Sequence, residues 1–210
     1  MASKQCMPGV LRAFATILAI ALAWPAAAAG LSYTTVYRDH AVPGTTPEAV
    51  WQYMVMHPIM DPDDGPALAN ITHEHTLTFT TATGGGACMV RDLSFTWHFV
   101  ITLPKATDRA RMSPATGSLW DEFLAKVTWH EMRRRAIFLD CGKAFVAAAA
   151  KITGPAGCEG VERKVRRFVD AQYDLCMKTQ RDFGHEDSPL VAKLGLVTAA
   201  EAAMKAPAAH

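Results

Sequence analysis

The sequence lacks an excess of charge of either sign. Twenty-one Lys and Arg stand against 20 Asp and Glu, a net charge of +1. A dedicated nucleic-acid binder is usually strongly basic, so no nucleic acid is expected as partner. It also lacks a GxSxG nucleophile elbow. Its run of glycines, 84–86, leads into a strand pattern, whereas a phosphate cradle leads into a helix N-terminus. There is no internal repeat. A second long apolar run is missing too, and the first is too short for an ordinary membrane span.

That first run, 13–24, reads AFATILAIALAW. Lys4 and Arg12 precede it, and Pro25 and a row of alanines follow. This is the order of a secretory signal peptide, with cleavage expected after Ala29. The domain division expected is therefore a signal peptide over 1–29, a single domain over 30–185 and a flexible Ala-rich tail over 186–210. The mature protein is expected in the periplasm or secreted, without a membrane anchor.

Cysteine usage agrees with export. Cys6 leaves with the signal, and Cys88, Cys141, Cys158 and Cys176 remain. An even number in an exported chain implies two disulfides, with three pairings open. Their spacings are not those of a zinc knuckle. Cys88 opens a strand and Cys158 lies in a break between helices, which favours Cys88–Cys158 with Cys141–Cys176. In a simple hairpin the second pair is out of register by about 10 Å at 1.5 Å per residue.

The patterning predicts a strand over 31–38 and a short helix over 47–56, with Thr46 as N-cap and Pro47 at N1. Residues 70–80 alternate, with Ile71, His73, His75, Leu77 and Phe79 on one face. A second long strand is expected over 88–103. The longest helix is expected over 118–151. Trp120, Phe123, Leu124, Val127, Ile137, Phe138, Cys141, Phe145 and Ala148 recur along it at the spacing of a buried face. Gly154, Pro155, Gly157 and Gly160 break the chain before a second helix over 161–181. The fold class is thus α+β, a small antiparallel sheet of meander or hairpin type packed on a long αα-hairpin.

Three polar residues interrupt the apolar stripe of the long helix: His130, Glu131 and Arg134. Polar groups on a buried face must be paired, coordinated or functional. Two histidines at i and i+4 would place both imidazoles on one zinc ion, and the Glu after the first would act as general base on the metal-bound water. Here the second ligand position holds Arg134, a permanent cation with no lone pair to offer. It can instead form a helix ion pair with Glu131, as can Arg135. A secondary metal candidate is His73 with His75, two residues apart on one strand face.

Several further motifs accompany His130-Glu131. They are a start containing Tyr37, Val42, Gly44 and Thr45, a strand ending in Leu103-Pro104, and Trp120 with Phe123 ahead of the His-Glu pair. With these, the stretch over 31–185 resembles the bacterial family described as secreted zinc-dependent proteases, the domain of unknown function numbered 922. The resemblance implies a zincin-like arrangement, with His130 as metal ligand and Glu131 as catalytic base. It also implies a third ligand in an Asp-His-Gly-like turn. Here that turn reads Asp182, Phe183, Gly184, with His185 one step later as the substitute. With Arg134 in place of a ligand, the favoured reading is a catalytically inactive relative without zinc. It would be an envelope binding or scaffold domain for a protein or peptide partner. The alternative is an active zinc-dependent peptidase using His130, Glu131 and a non-standard ligand set that includes His185.

Overall fold

The chain leaves its first strand by a helix and returns to the same sheet only after a small hairpin. The computed structural model describes residues 30–62 and 65–206, with the side chains of 188 and 189 left aside. The expected signal peptide lies outside the described residues. In chain order the elements are β1 (Gly30–Val42), α1 (Pro47–Met56), β2 (Ile59–Asp61), β3 (Gly65–Ala67), β4 (Asn70–Gly84), β5 (Ala87–Ala106), α2 (Pro114–Ala149), β6 (Thr153–Pro155), α3 (Val161–Val191) and α4 (Gly195–Lys205).

β4 and β5 form the expected hairpin. Its two-residue loop is Gly85-Gly86, both with positive φ (61° and 80°), as the tight loop of a twisted hairpin requires. The sheet is mixed, however, and not antiparallel throughout. β1 pairs parallel with β5, from Gly30 opposite Ser94 to Val42 opposite Ala106. The reason is the crossover: α1, the β2–β3 hairpin and the whole of β4 lie between the two strands, which is enough chain to bring β5 back in the direction of β1.

β5 is the spine. Leu93, Phe95, Trp97, Phe99 and Ile101 are each at most 2% exposed. Nearer the hairpin the inward phase changes. A bulge between Thr78 and Thr80, with Asp92 at φ 49°, shifts the register. Thr80 donates a hydrogen bond to the Asp92 carboxylate at 2.7 Å. A bulge adds one residue to one strand, so Cys88 and Val90 are buried where strict alternation from Leu93 would bury Arg91.

The long helix begins at Pro114, four residues before its expected start. Ser113 caps it, its Oγ accepting from the Thr116 N–H at 3.1 Å, and Pro114 takes N1. From the expected stripe Trp120, Phe123, Val127, Phe138 and Phe145 are buried. Both disulfides follow the favoured pairing, Cys88–Cys158 and Cys141–Cys176, with Cα–Cα separations of 5.0 and 6.0 Å. The two-turn offset of the second pair is taken up by the connection over 150–160. That segment runs out to β6, which pairs with the hairpin end of β5, before α3 begins.

Two expectations at the C-terminal end are corrected. α3 continues ten residues past Arg181, to Val191. The segment expected as a flexible tail carries α4, whose Leu196, Val197 and Ala200 are at most 1% exposed. Composition pointed to a tail because alanine dominates. The decisive residues are the few apolar ones on one helix face, of which Leu196 joins Val42, Val50, Met54, Trp120 and Phe123 in a second core. Among the described residues no helix is long and apolar enough to cross a membrane.

Candidate functional site

The inner face of α2 turns polar midway. Glu131 and Arg134 are 2% and 8% exposed, and charges so placed are costly unless paired. Arg134 Nη1 lies 3.5 Å from Asp61 Oδ2 and 3.8 Å from Glu131 Oε2. Asp61, at the end of β2, is itself buried. The guanidinium therefore sits between two carboxylates. Gln180 of α3 donates from Nε2 to the Arg134 carbonyl at 2.8 Å, tying the two helices at this level. The expected Glu131–Arg134 ion pair is present. Arg135 instead donates to Thr35 Oγ1 of β1 at 3.2 Å.

One residue earlier, His130 turns toward α3. Its Nδ1 lies 2.6 Å from Asp187 Oδ2, and Lys126 Nζ donates to Asp187 Oδ1 at 2.7 Å. An ionised carboxylate only accepts, so Nδ1 carries the proton. Burial holds the His130 pKa below its ordinary value. Asp187 opposes this shift, while the charges of Arg134 and Lys126 reinforce it. For Asp187, burial alone would raise the pKa. The hydrogen bonds from Lys126 and His130 outweigh burial and lower it. Phe183 stacks on the imidazole, with ring centroids 4.9 Å apart and planes at 24°.

A cleft of about 710 Å³ opens over these groups. His130, Glu131, Arg134 and Asp187 line it from α2 and α3, and Trp51, Met54 and Val55 from α1. Leu68 and Ala69 close another side, Lys126, Arg181 and Glu201 add charge, and His185 adds an imidazole. The structure thus brings His130, Glu131, Arg134 and His185 to one cleft. His185 is exposed there. His73 and His75 stand elsewhere, in the aromatic layer between β4 and α3. His73 Nε2 is 2.8 Å from the Tyr173 hydroxyl, and its ring lies 4.1 Å from that of Phe138. His75 stacks on Phe95 at 5.2 Å, and burial lowers its pKa.

The residues present do not fit zinc in the HExxH manner. His130 keeps Nε2 as a lone-pair donor. An HExxH site would take its second ligand from position 134, where a guanidinium lies between Glu131 and Asp61; in the turn expected to supply a third, the Phe183 ring stacks on His130 and His185 is exposed. Among the described residues no group of three His, Cys, Asp or Glu side chains is arranged to hold a metal ion.

Asp61, Lys126, Gln180 and Asp187 were not among the sequence candidates. Gln180, Gly184 and Asp187 follow i, i+4, i+7 spacing, so extending α3 past Arg181 would have put Gln180 and Asp187 on one face. Asp61 ends the three-residue strand β2, in a proline-rich stretch too short for periodicity to mark it.

Residues 37–188 match a family described as bacterial protein of unknown function, DUF922. The match covers well over half of the chain and reaches from β1 past Asp187. No curated protein and no solved structure matches.

Proposed function

The chain belongs to the DUF922 family of bacterial proteins, and on that premise we propose that it is an exported, zinc-free binding domain. It holds a protein or peptide segment in the cleft over α2 and α3. One observation carries the reading. The Arg134 guanidinium occupies the second ligand position and lies 3.8 Å from Glu131, the residue that would otherwise act as base. A guanidinium stays protonated at any working pH, so a dication beside it would face a buried positive charge. Phe183 on the His130 ring supports the same conclusion, since a phenyl group has no electron pair to coordinate. The cleft falls within the size range of sites that take small molecules or a few side chains, roughly 300–1,000 Å³. Its walls combine apolar residues (Trp51, Met54, Val55) with charges (Lys126, Arg181, Glu201), a mixture suited to a peptide. The two disulfides fit an oxidising compartment.

One feature favours a second reading, an active zinc-dependent peptidase. A carboxylate on Nδ1 is the backing that metal-binding histidines commonly carry, and His130 has it in Asp187. In that case Glu131 would be the base and His185 a further ligand. Metal analysis of purified protein, with and without added zinc, separates the two. The binding-domain reading expects no stoichiometric zinc and peptide turnover no different from that of Glu131→Gln. Stoichiometric zinc that is lost in His130→Ala would reject it.

A further inference from the structure

The cleft over α2 and α3 holds more carboxylates than cations. Asp61, Glu131 and Asp187 line it and are 5%, 2% and 4% exposed. Two cations face these three: Arg134, which is also buried, and Lys126, whose side chain is 22% exposed. His130 adds no charge at neutral pH, because its pKa lies below the ordinary histidine value. Nearer solvent, Arg181 and Glu201 are exposed and opposite in sign. Among the described residues the lining thus keeps an excess of negative charge, and the excess lies at the buried end.

The ion pairs locate it. Lys126 Nζ is 2.7 Å from Asp187 Oδ1, so those two charges offset each other. The Arg134 guanidinium lies between Asp61 and Glu131, at 3.5 and 3.8 Å, and a single positive charge cannot offset both. The excess therefore falls where α2 faces β2. Burying an uncompensated charge is costly, and a cation brought by a ligand relieves that cost. An anionic group would instead meet buried carboxylates, and both buried-end cations already face carboxylates of the protein.

The walls bear on what carries the cation. Trp51 and Leu68 are half-buried, and Val55 is 57% exposed at the mouth. An apolar passage that ends on carboxylates suits a long side chain with an apolar stem and a charged tip, whereas an inorganic cation would leave those walls unused. We propose that the cleft takes a basic side chain, lysine or arginine, from a peptide segment, with its stem between Trp51, Val55 and Leu68 and its tip at Glu131 and Asp61. The inference rests on the binding reading and names the chemistry of the partner.

Random dodecapeptides displayed on phage test it, selected on the purified protein at pH 8, above the ordinary histidine range. Peptides enriched on the wild type are expected to carry Lys or Arg in excess of the starting library. Val55→Arg, an exposed change that sets a cation in the passage, is expected to abolish their binding. Fluorescence anisotropy then reads the affinity of one enriched peptide. Replacing its basic residue with glutamine weakens binding at least about tenfold, and so does Glu131→Gln. Arg181→Gln, a change at an exposed position, tightens it about twofold by removing a like charge. Circular dichroism checks that each variant is folded. Peptides that need the cleft but show no basic bias, or that keep their affinity without the basic residue, overturn this proposal and leave the binding reading standing. If no peptide depends on the cleft, the binding reading falls and this proposal falls with it.

Discussion

His130 Nδ1 and Asp187 Oδ2 are 2.6 Å apart, and both groups titrate below their ordinary values. The folded protein thus prefers a neutral imidazole beside an ionised carboxylate. Since the His130 pKa is lowered from 6.5, the unfolded chain binds more protons in the window just below 6.5. Stability therefore rises with pH through that window and is lost as pH falls through the folded value. Asp187, lowered from 3.8, adds a second loss below 3.8, because protonation removes the acceptor that Lys126 and His130 share. Urea midpoints measured from neutral pH to about pH 5 are expected to fall with acidity, and His130→Gln to flatten the slope. Some slope should persist in that variant, because the His75 pKa is lowered from the same value. An unaltered slope would mean that His130 does not set it.

Arg134 is expected to hold the site together electrostatically. Arg134→Met keeps the length of the side chain but leaves Asp61 and Glu131 buried without the cation between them. Removing one partner of a buried ionic cluster costs about 3–5 kcal/mol, so the urea midpoint should fall strongly. Adding Glu131→Gln removes one of the two stranded charges and should recover part of the loss. A nearly neutral Arg134→Met would show that the guanidinium is not needed for charge balance.

How much of this was legible in the sequence differs from element to element. The hairpin and the two long helices follow from alternation and helical spacing, which are local signals, whereas the disulfide pairing was only favoured, from the elements on which the cysteines fall, against a two-turn offset of the second pair. The parallel pairing of β1 with β5 does not, because it depends on where a crossover of more than forty residues ends, and local periodicity is blind to that. At the site, His130, Glu131 and Arg134 stood out as polar residues on an apolar stripe. Their partners did not. Asp187 was hidden by ending α3 too early, and Asp61 by a three-residue strand too short to show a period.

α4 is expected to be structural. Leu196 is fully buried and shares a core with Val42, Val50 and Phe123. Leu196→Ala should cost about 2–5 kcal/mol, as buried leucine truncations do. Thr198→Ala, an exposed change on the same helix, should stay within about 0.5 kcal/mol. Chemical denaturation of the two variants side by side distinguishes a docked helix from a loose tail. Equal midpoints would mean that α4 contributes nothing to the fold.

A zinc site is testable here by substitution. Arg134→His places two imidazoles one turn apart on α2, which is the spacing that lets both reach one ion. A third donor is still missing, because Phe183 occupies the ring-stacking position on His130. The single variant is therefore expected to bind zinc weakly or not at all, and the double variant with Phe183→His to bind it stoichiometrically. The gain should be pH-dependent, since each imidazole must be neutral to coordinate, and affinity should drop as the histidines protonate in acid. Asp187 on Nδ1 would then help by fixing the His130 tautomer with Nε2 as donor, so Asp187→Asn in the double variant should weaken zinc about 10–100-fold. Equilibrium dialysis against zinc reads all of these directly. A double variant that still binds no zinc would show that His130, residue 134 and residue 183 do not converge closely enough for coordination, and that the cleft differs from a peptidase site in geometry as well as in residue type.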